Sequence, residues 1–239
     1  MTGPLLLHIE TATDICSVAL SQGDRQLALF ESGQERSHAT LLNTFIRQAM
    51  EQADLSLKDL QGIAVSKGPG SYTGLRIGVS TAKGLAYALG VPLLASGTLE
   101  NMAAGSASHD QVARLISIHG DKVLLCPLLD ARRMEVYSGF YTLKNDVFRA
   151  VSADVIDEES YRSILDSYQV CFFGNGAEKC KEALHHPNAH FIDGIHPSAS
   201  TMIIPVLKRY QLKQYEDVAY FEPFYLKNFI ATVPKKKVL

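Results

Sequence analysis

The apolar positions of this chain follow two periodicities that alternate from end to end. Residues 4–10 (PLLLHIE), 15–21 (ICSVALS) and 26–32 (QLALFES) are strand-like runs separated by short turns, which predicts a three-stranded antiparallel meander. From Ser37, the predicted cap, to about Ala53 the spacing becomes helical, with Leu41, Leu42, Phe45, Ile46, Ala49 and Met50 recurring along one side. A buried strand is predicted at 62–66 (GIAVS). The glycine-rich stretch "KGPGSYTGLRIG" (67–78) leads from it into a helix over about Tyr72 to Leu89, and a strand (LLAS) follows Pro92.

A similar order recurs after a small-residue helical stretch at 98–106. Strands are predicted at 123–129, 134–142 and 147–153, a short helix at 158–166, a strand at 170–174, a helix at 177–184, a strand at 189–193 and a helix at 199–210. The chain therefore reads as βββαβα used twice, dividing near residue 98 into lobes of 1–98 and 99–239, with the last segment free to pack back on the first lobe. This is the element order of the actin-like and sugar-kinase ATPases, in which nucleotide lies between two such halves. The expected fold class is α/β, of the actin-like, RNase H-like kind.

Composition narrows the function classes. The 239 residues carry a net charge of −2, so no global basic field draws the molecule to nucleic acid or membrane, and any RNA contact has to be local or supplied by a partner. The four cysteines, Cys16, Cys126, Cys171 and Cys180, are scattered without a CxxC pair and read as buried thiols of a cytosolic protein. The opening "MTGPLLLHIETATD" has no basic leader, and no apolar run approaches the roughly 18 residues that span a bilayer. A soluble, cytoplasmic protein is expected.

The glycine loop fails both phosphate-binding spacings. No glycine precedes Lys-Ser or Lys-Thr as a Walker loop requires, and Gly68, Gly70 and Gly74 are one residue too long for GxGxxG. What remains is a sharp turn into a helix capped by Ser71 or Thr73. That end suits either an anion on its free amides, with Lys67 and Arg76 near, or simply tight packing. Inside the helix, Gly74, Gly78 and Ala82 align four residues apart. Glycine there costs roughly 1 kcal/mol relative to alanine, so the stripe needs a compensating contact, and the simplest is another helix lying close.

Other candidate sites are sparser. Glu10, Thr11 and Thr13 end the first strand, where actin-like ATPases place a metal-holding carboxylate and a phosphate turn; Asp130, with Arg132 and Arg133 beside it, occupies the matching place in the second half. Glu10, Thr11, Thr13, Asp130 and Arg132 are thus the candidates for contact with a nucleotide, against the plainer reading of capped turns and solvated strand ends. His186 and His190 have HxxxH spacing, but Pro187 breaks any shared helical face, and no metal site is expected. No GxSxG elbow is present, no cysteine carries a local catalytic signature, and the tail "PKKKVL" reads as a solvated basic end.

Five stretches carry a family resemblance: "RSHATLL" (36–42), "GIAVSKGPGSYTGLRIGVSTAKGLAYALGVPLLASGTLENMA" (62–103), "DARRMEVY" (130–137), "GNGAEK" (174–179) and "PFYLK" (223–227). Together they resemble the TsaB (YeaZ-type) bacterial tRNA threonylcarbamoyladenosine biosynthesis proteins. The resemblance implies a two-lobed actin-like fold and a part in making N6-threonylcarbamoyladenosine beside the anticodon of tRNAs that read ANN codons. The larger paralogue, TsaD, is the family's transferase and holds metal with an HxxxH motif. The corresponding stretch here, "GTLENM" (97–102), has no histidine, so the resemblance implies a non-catalytic partner with no catalytic residue of its own.

The resemblance also implies the partners: a TsaD-type transferase in a heterodimer, a TsaE-type P-loop ATPase, a homodimer when alone, and tRNA reached mainly through the complex. Pairing in the family uses the two N-terminal helices, which carries onto Arg36, His38, Leu41, Leu42, Phe45, Ile46 and Ala49 in the first and Tyr72, Gly74, Leu75, Gly78, Val79 and Ala82 in the second. No tightly bound cofactor is implied; ATP or ADP at the complex junction is the one candidate. The chain departs from the family at Glu10, where Asp is usual, at Tyr72, often Phe, and at Asn43, often Pro. An actin-like ATP-binding phosphotransferase, or a metallopeptidase-like protein, are the alternatives.

Overall fold

The computed structural model describes residues 3–33 and 38–226. The first three strands, β1 (Leu5–Glu10), β2 (Cys16–Gln22) and β3 (Arg25–Ser32), form the predicted meander, and β4 (Gly62–Ser66) and β5 (Leu93–Ser96) add to it in the order β3-β2-β1-β4-β5. β4 runs parallel to β1 and β5 parallel to β4. A second sheet of β6 (Val123–Asp130), β7 (Glu135–Tyr141), β8 (Val147–Val155), β9 (Gln169–Phe173) and β10 (Ala189–Ile192) has the order β10-β9-β6-β7-β8. Strand for strand this is the same topology, and it is the actin-like, RNase H-like one.

β1 is the centre of the first sheet and is buried on both faces, which is why its six residues read as a nearly continuous apolar run. Leu5, Leu7 and Ile9 point to α1 (His38–Gln52) and α2 (Tyr72–Leu89), where they meet Leu42, Ile46, Ala49, Val79 and Ala82 in one core. Leu6 joins Ala19, Ala64 and Leu94 on the opposite face, beneath Met202 and the helix α6 (Ile203–Gln211) through Val206. The C-terminal helix thus covers the first lobe's second face, and a bridge from Leu93 to Glu216 extends that contact. In the second lobe, α3 (Thr98–Ser106) and α4 (Asp110–His119) cover one face with Leu99, Met102, Ala103 and Val112. Leu165 of α5 (Arg162–Leu165) packs with Ala177, Cys180 and Leu184 on the other. All four cysteines are free and buried.

Several elements differ from the expectation. The helix over 110–119 is an addition to the expected elements: it follows the polar run "SASHD" and turns a short stripe of Val112, Leu115 and Ile116 to the core. The helix expected at 158–166 shortens to four residues. The one expected at 177–184 is a single 3-10 turn at Glu178–Cys180, which tucks Cys180 and Leu184 beneath the sheet. The Ser37 cap, Arg36 and the PKKKVL tail lie outside the described residues.

Candidate functional site

The end of β1 is where the sequence placed its chemistry, and the structure brings a larger set of polar groups there. Antiparallel register sets Glu10 opposite Ser17 and Ser17 opposite Glu31, while parallel register sets Ser66 beside Ser96; Ser66 directly follows Val65, the partner of Ile9. Glu31, Ser17, Glu10, Ser66 and Ser96 therefore form one polar row across all five strands, on the face toward α3 and α6. Ser17 donates to Glu31 Oε1 at 2.7 Å and accepts the Ala199 amide at 2.8 Å. The Ser66 and Thr98 hydroxyls lie 2.8 Å apart, joining the row to the first turn of α3.

Glu10 is fully buried. Oε1 accepts the Ala12 amide at 2.7 Å, whereas Oε2, together with Ser96 Oγ and both side-chain polar atoms of Asn101, has no protein hydrogen-bond partner. Burial pushes the Glu10 carboxyl up to about 7, and the Ala12 amide opposes that only in part. His8, two residues earlier on the same face, is held by Ser21 at 2.8 Å and pushed down to about 3 by burial. Ser17, Ser66, Ser96, Thr98 and Asn101 were not singled out from sequence. Their signal was weak but present: Glu10, Ser66 and Ser96 each close an otherwise apolar strand.

The turn after Glu10 explains the glycine stretch. Ser71 donates its amide to Ala12 O at 2.6 Å, and the Thr11 hydroxyl donates to Gly74 O at 2.9 Å. A Cβ on Gly70 falls 2.2 Å from Ala12 O, one on Gly74 falls 2.1 Å from Thr11 O, and one on Gly78 falls 2.2 Å from Thr11 Oγ1. The stripe is therefore filled by this chain's own β1–β2 turn, which corrects its reading as an open groove for a partner helix. Ser71 is the cap, its hydroxyl accepting the Gly74 amide at 3.3 Å.

The remaining helix residues named for a partner are mostly turned inward as well. Leu42, Ile46, Ala49, Leu75, Val79 and Ala82 are buried in the first lobe, Leu41 and Phe45 are half-buried against it, and Tyr72 is half-buried. His38 is also buried, with Nε2 3.3 Å from Ile15 O. Tyr72 packs against Tyr225 with tilted rings whose centroids are 5.0 Å apart, and Arg76 lies over the Tyr72 ring. Residues outside that list face solvent instead: Asn43 and Arg47 on α1, and Arg76, Ser80, Gly84 and Tyr87 on α2. A Cβ on Gly84 meets nothing within 4 Å among the described residues.

Glu10 and Thr11 are buried, Thr13 is half-buried, and Asp130 and Arg132 are exposed. Of these candidates for nucleotide contact, Glu10 and Thr11 are thus enclosed by the fold rather than open to a ligand from solvent. Asp130 belongs to a second constellation, in which "DARRMEVY" and "GNGAEK" meet. Asn175 Oδ1 accepts the Asp130 amide at 3.0 Å, Asp130 Oδ1 accepts the Arg132 amide at 2.9 Å, and Lys179 Nζ bonds to Asp130 Oδ1, Arg133 O and Glu135 O. Partial burial pushes the Asp130 carboxyl up, but the bonds from Lys179 and the Arg132 amide outweigh it and hold the group below its ordinary value. His186 and His190 are held apart, the first near Asp166 and the second 2.6 Å from Gln169. No group of three or more His, Cys, Asp or Glu suited to a metal ion occurs among the described residues.

Two lobes of one topology, joined at a buried polar layer, define a member of the actin-like class. The family model described as "TsaD: tRNA N6-adenosine threonylcarbamoyltransferase" matches residues 32–235. The chain belongs to this family, and the relatives it resembles within it include proteins of the TsaB, or YeaZ, type. It is 34% identical over 149 residues, 62% of this chain, to the tRNA threonylcarbamoyladenosine biosynthesis protein TsaB of Bacillus subtilis. It is 34% identical over 136 residues, 57% of this chain, to the TsaB of Escherichia coli. The chain spans 60% and 54% of those two relatives' length. The solved structure of YeaZ from Pseudomonas aeruginosa superposes with a TM-score of 0.78 at 27% identity, covering 93% of this chain and all of that one.

Proposed function

We propose that this chain is the non-catalytic subunit of a tRNA N6-threonylcarbamoyladenosine transferase complex, docking on and activating a TsaD-type catalytic paralogue. A TsaE-type P-loop ATPase joins the pair, and a homodimer forms when the chain is alone. One observation carries the reading beyond family membership. At "GTLENM" (97–102), where the resemblance implies the transferase's metal-binding histidines, this chain starts α3 with Leu99 and Met102 in the core and Glu100 paired to Arg209 at 2.7 Å. That turn is committed to joining the lobes.

With Gly74 and Gly78 occupied from within, the docking surface shifts to the outer faces of α1 and α2. Asn43, Arg47, Ser80, Gly84 and Tyr87 are among its exposed residues, and Ser80 and Gly84, four apart and small, permit a partner helix to approach. Reconstitution tests the reading: transferase, ATPase, threonylcarbamoyl-AMP and unmodified tRNA are combined with and without this chain. Modification should require the chain, and the chain alone should neither hydrolyse ATP nor transfer. Full modification without it would overturn the proposal.

A further inference from the structure

The turn between β6 and β7 is unusual in its backbone and in what it leaves free. Arg132 and Arg133 have φ of 74° and 49° in succession, the left-handed region that costs a non-glycine residue roughly 1 kcal/mol or more. The conformation is held from every side. Ala131 and Glu135 amides bond to Glu135 O and Arg132 O, the Asp130 carboxylate takes the Arg132 amide, and Lys179 binds the carbonyls of Arg133 and Glu135. Asn175 and Gly176 support the turn from below, where a Cβ on Gly176 would lie 2.9 Å from Leu129 C.

Every one of those bonds uses backbone atoms or Asp130, and neither guanidinium takes part. Both arginines are exposed, and among the described residues neither has an ion-pair partner. Lys179, the other cation here, is engaged with Asp130. The acids Asp157, Glu158, Glu159 and Glu182 line an adjoining cleft of about 630 Å³ that shares Lys179 and Met134 with this turn, and neither arginine lines it. The clamp therefore fixes the roots of two adjacent arginines and leaves their charged ends available to a ligand.

We propose that Arg132 and Arg133 form a phosphate-binding tip that holds the backbone of the RNA substrate. This rests on the function proposed above for the class of nucleic acid, and goes beyond it in giving this chain a direct RNA contact. Guanidinium forks match phosphate oxygens in paired hydrogen bonds, and a pre-set backbone lowers the ordering cost of making them. Such contacts position an RNA without reading its sequence. With a net charge of −2 the chain has no global attraction for RNA, so a local pair of this kind is what its chemistry allows.

The test is the double variant Arg132→Asn/Arg133→Asn, since asparagine accepts the left-handed region and the clamp does not use the arginine side chains. Binding of a labelled, unmodified tRNA transcript to this chain in complex with its transferase is measured across salt concentrations. The variant should bind roughly tenfold more weakly at low salt, with a salt slope shallower by about 1.5, as expected for two lost phosphate contacts. Arg132→Lys/Arg133→Lys should restore the slope and only part of the affinity. Unchanged affinity and slope overturn the proposal. So does a variant that loses affinity for the transferase, or for a fluorescent ATP analogue, while the assembled complex still holds RNA normally. If the wild-type complex binds no RNA, the functional reading falls with it; if it binds RNA and the variant matches it, only the tip is wrong.

Discussion

The Thr11 hydroxyl reaches across 63 residues to donate to the carbonyl of Gly74 at 2.9 Å, and the same hydroxyl oxygen lies 2.2 Å from where a Cβ on Gly78 would sit. The β1–β2 turn is thereby set into α2, and the two glycines meet different obstacles. For Gly74 the obstacle is the backbone oxygen of Thr11, which cannot rotate away; for Gly78 it is a side-chain oxygen.

This difference gives a rescue test. Gly78→Ala should destabilise the chain by about 1–3 kcal/mol, the usual cost of forcing a methyl into a packed site. Thr11→Ala, made with it, should recover much of that loss, because the next obstacle, Thr11 Cβ, is 3.4 Å away. Gly74→Ala should lose at least as much and should not be rescued by Thr11→Ala. Urea unfolding of the four variants measures both, and equal rescue of the two glycine variants would contradict the assignment of obstacles. Gly78→Leu should fail to fold, rather than fold and lose a partner.

That correction shows where the sequence stopped being informative. Strands and helices were legible because their apolar residues repeat locally, and LLLHIE and GIAVS declared themselves buried by having almost no polar position. The direction faced by the Gly74–Gly78 stripe was not local: helical spacing reveals that a smooth face exists, but what fills it comes from a turn far earlier in the chain. The row of Glu10, Ser66 and Ser96 was hidden for a related reason. A serine ending a strand looks like the start of a turn, and only register puts the three side by side. The meeting of DARRMEVY with GNGAEK likewise depends on the parallel pairing of β6 with β9, which brings together the segments that follow the two strands and is invisible to any window on the sequence.

Glu10 makes a pH prediction. Its carboxyl is raised from 4.5 to about 7 in the fold, so the folded chain keeps the proton to higher pH than the unfolded chain does. Stability from this group is thus fully present below about 4.5 and declines as pH rises toward 7, by about 3 kcal/mol in all. Glu10→Gln keeps the shape and removes the titration. The gap between variant and wild type should move in favour of the variant as pH rises from 5 to 8, and comparing the two cancels the contribution of His8. Parallel urea midpoints across that range would show that the group does not titrate as argued.

Lys179 holds its turn through three acceptors, so its loss should be felt locally. Lys179→Met leaves the carbonyls of Arg133 and Glu135 without that donor and the Asp130 carboxylate without its cation. Amide exchange at residues 131–135 should accelerate, with a global loss of about 1–3 kcal/mol. If exchange there is unchanged, the left-handed turn is held by the hairpin alone, and the conjunction of the two motifs has another purpose.

The docking surface makes the last prediction, and Gly84 is its most direct probe. It lies in the middle of α2 with nothing among the described residues within 4 Å of its would-be Cβ, so no contact among them accounts for a glycine that costs roughly 1 kcal/mol relative to alanine. A partner helix resting on the backbone does account for it. Gly84→Ala should therefore raise the unfolding midpoint while weakening association with the transferase, and Gly84→Leu should abolish association with the fold intact. Tyr87→Ala, at a ring 82% exposed, should weaken association without changing stability. Calorimetric titration against the transferase, paired with thermal unfolding of the free chain, separates the two effects. If Gly84→Leu associates normally, the partner does not approach this face of α2, and the surface proposed on α1 and α2 is misplaced.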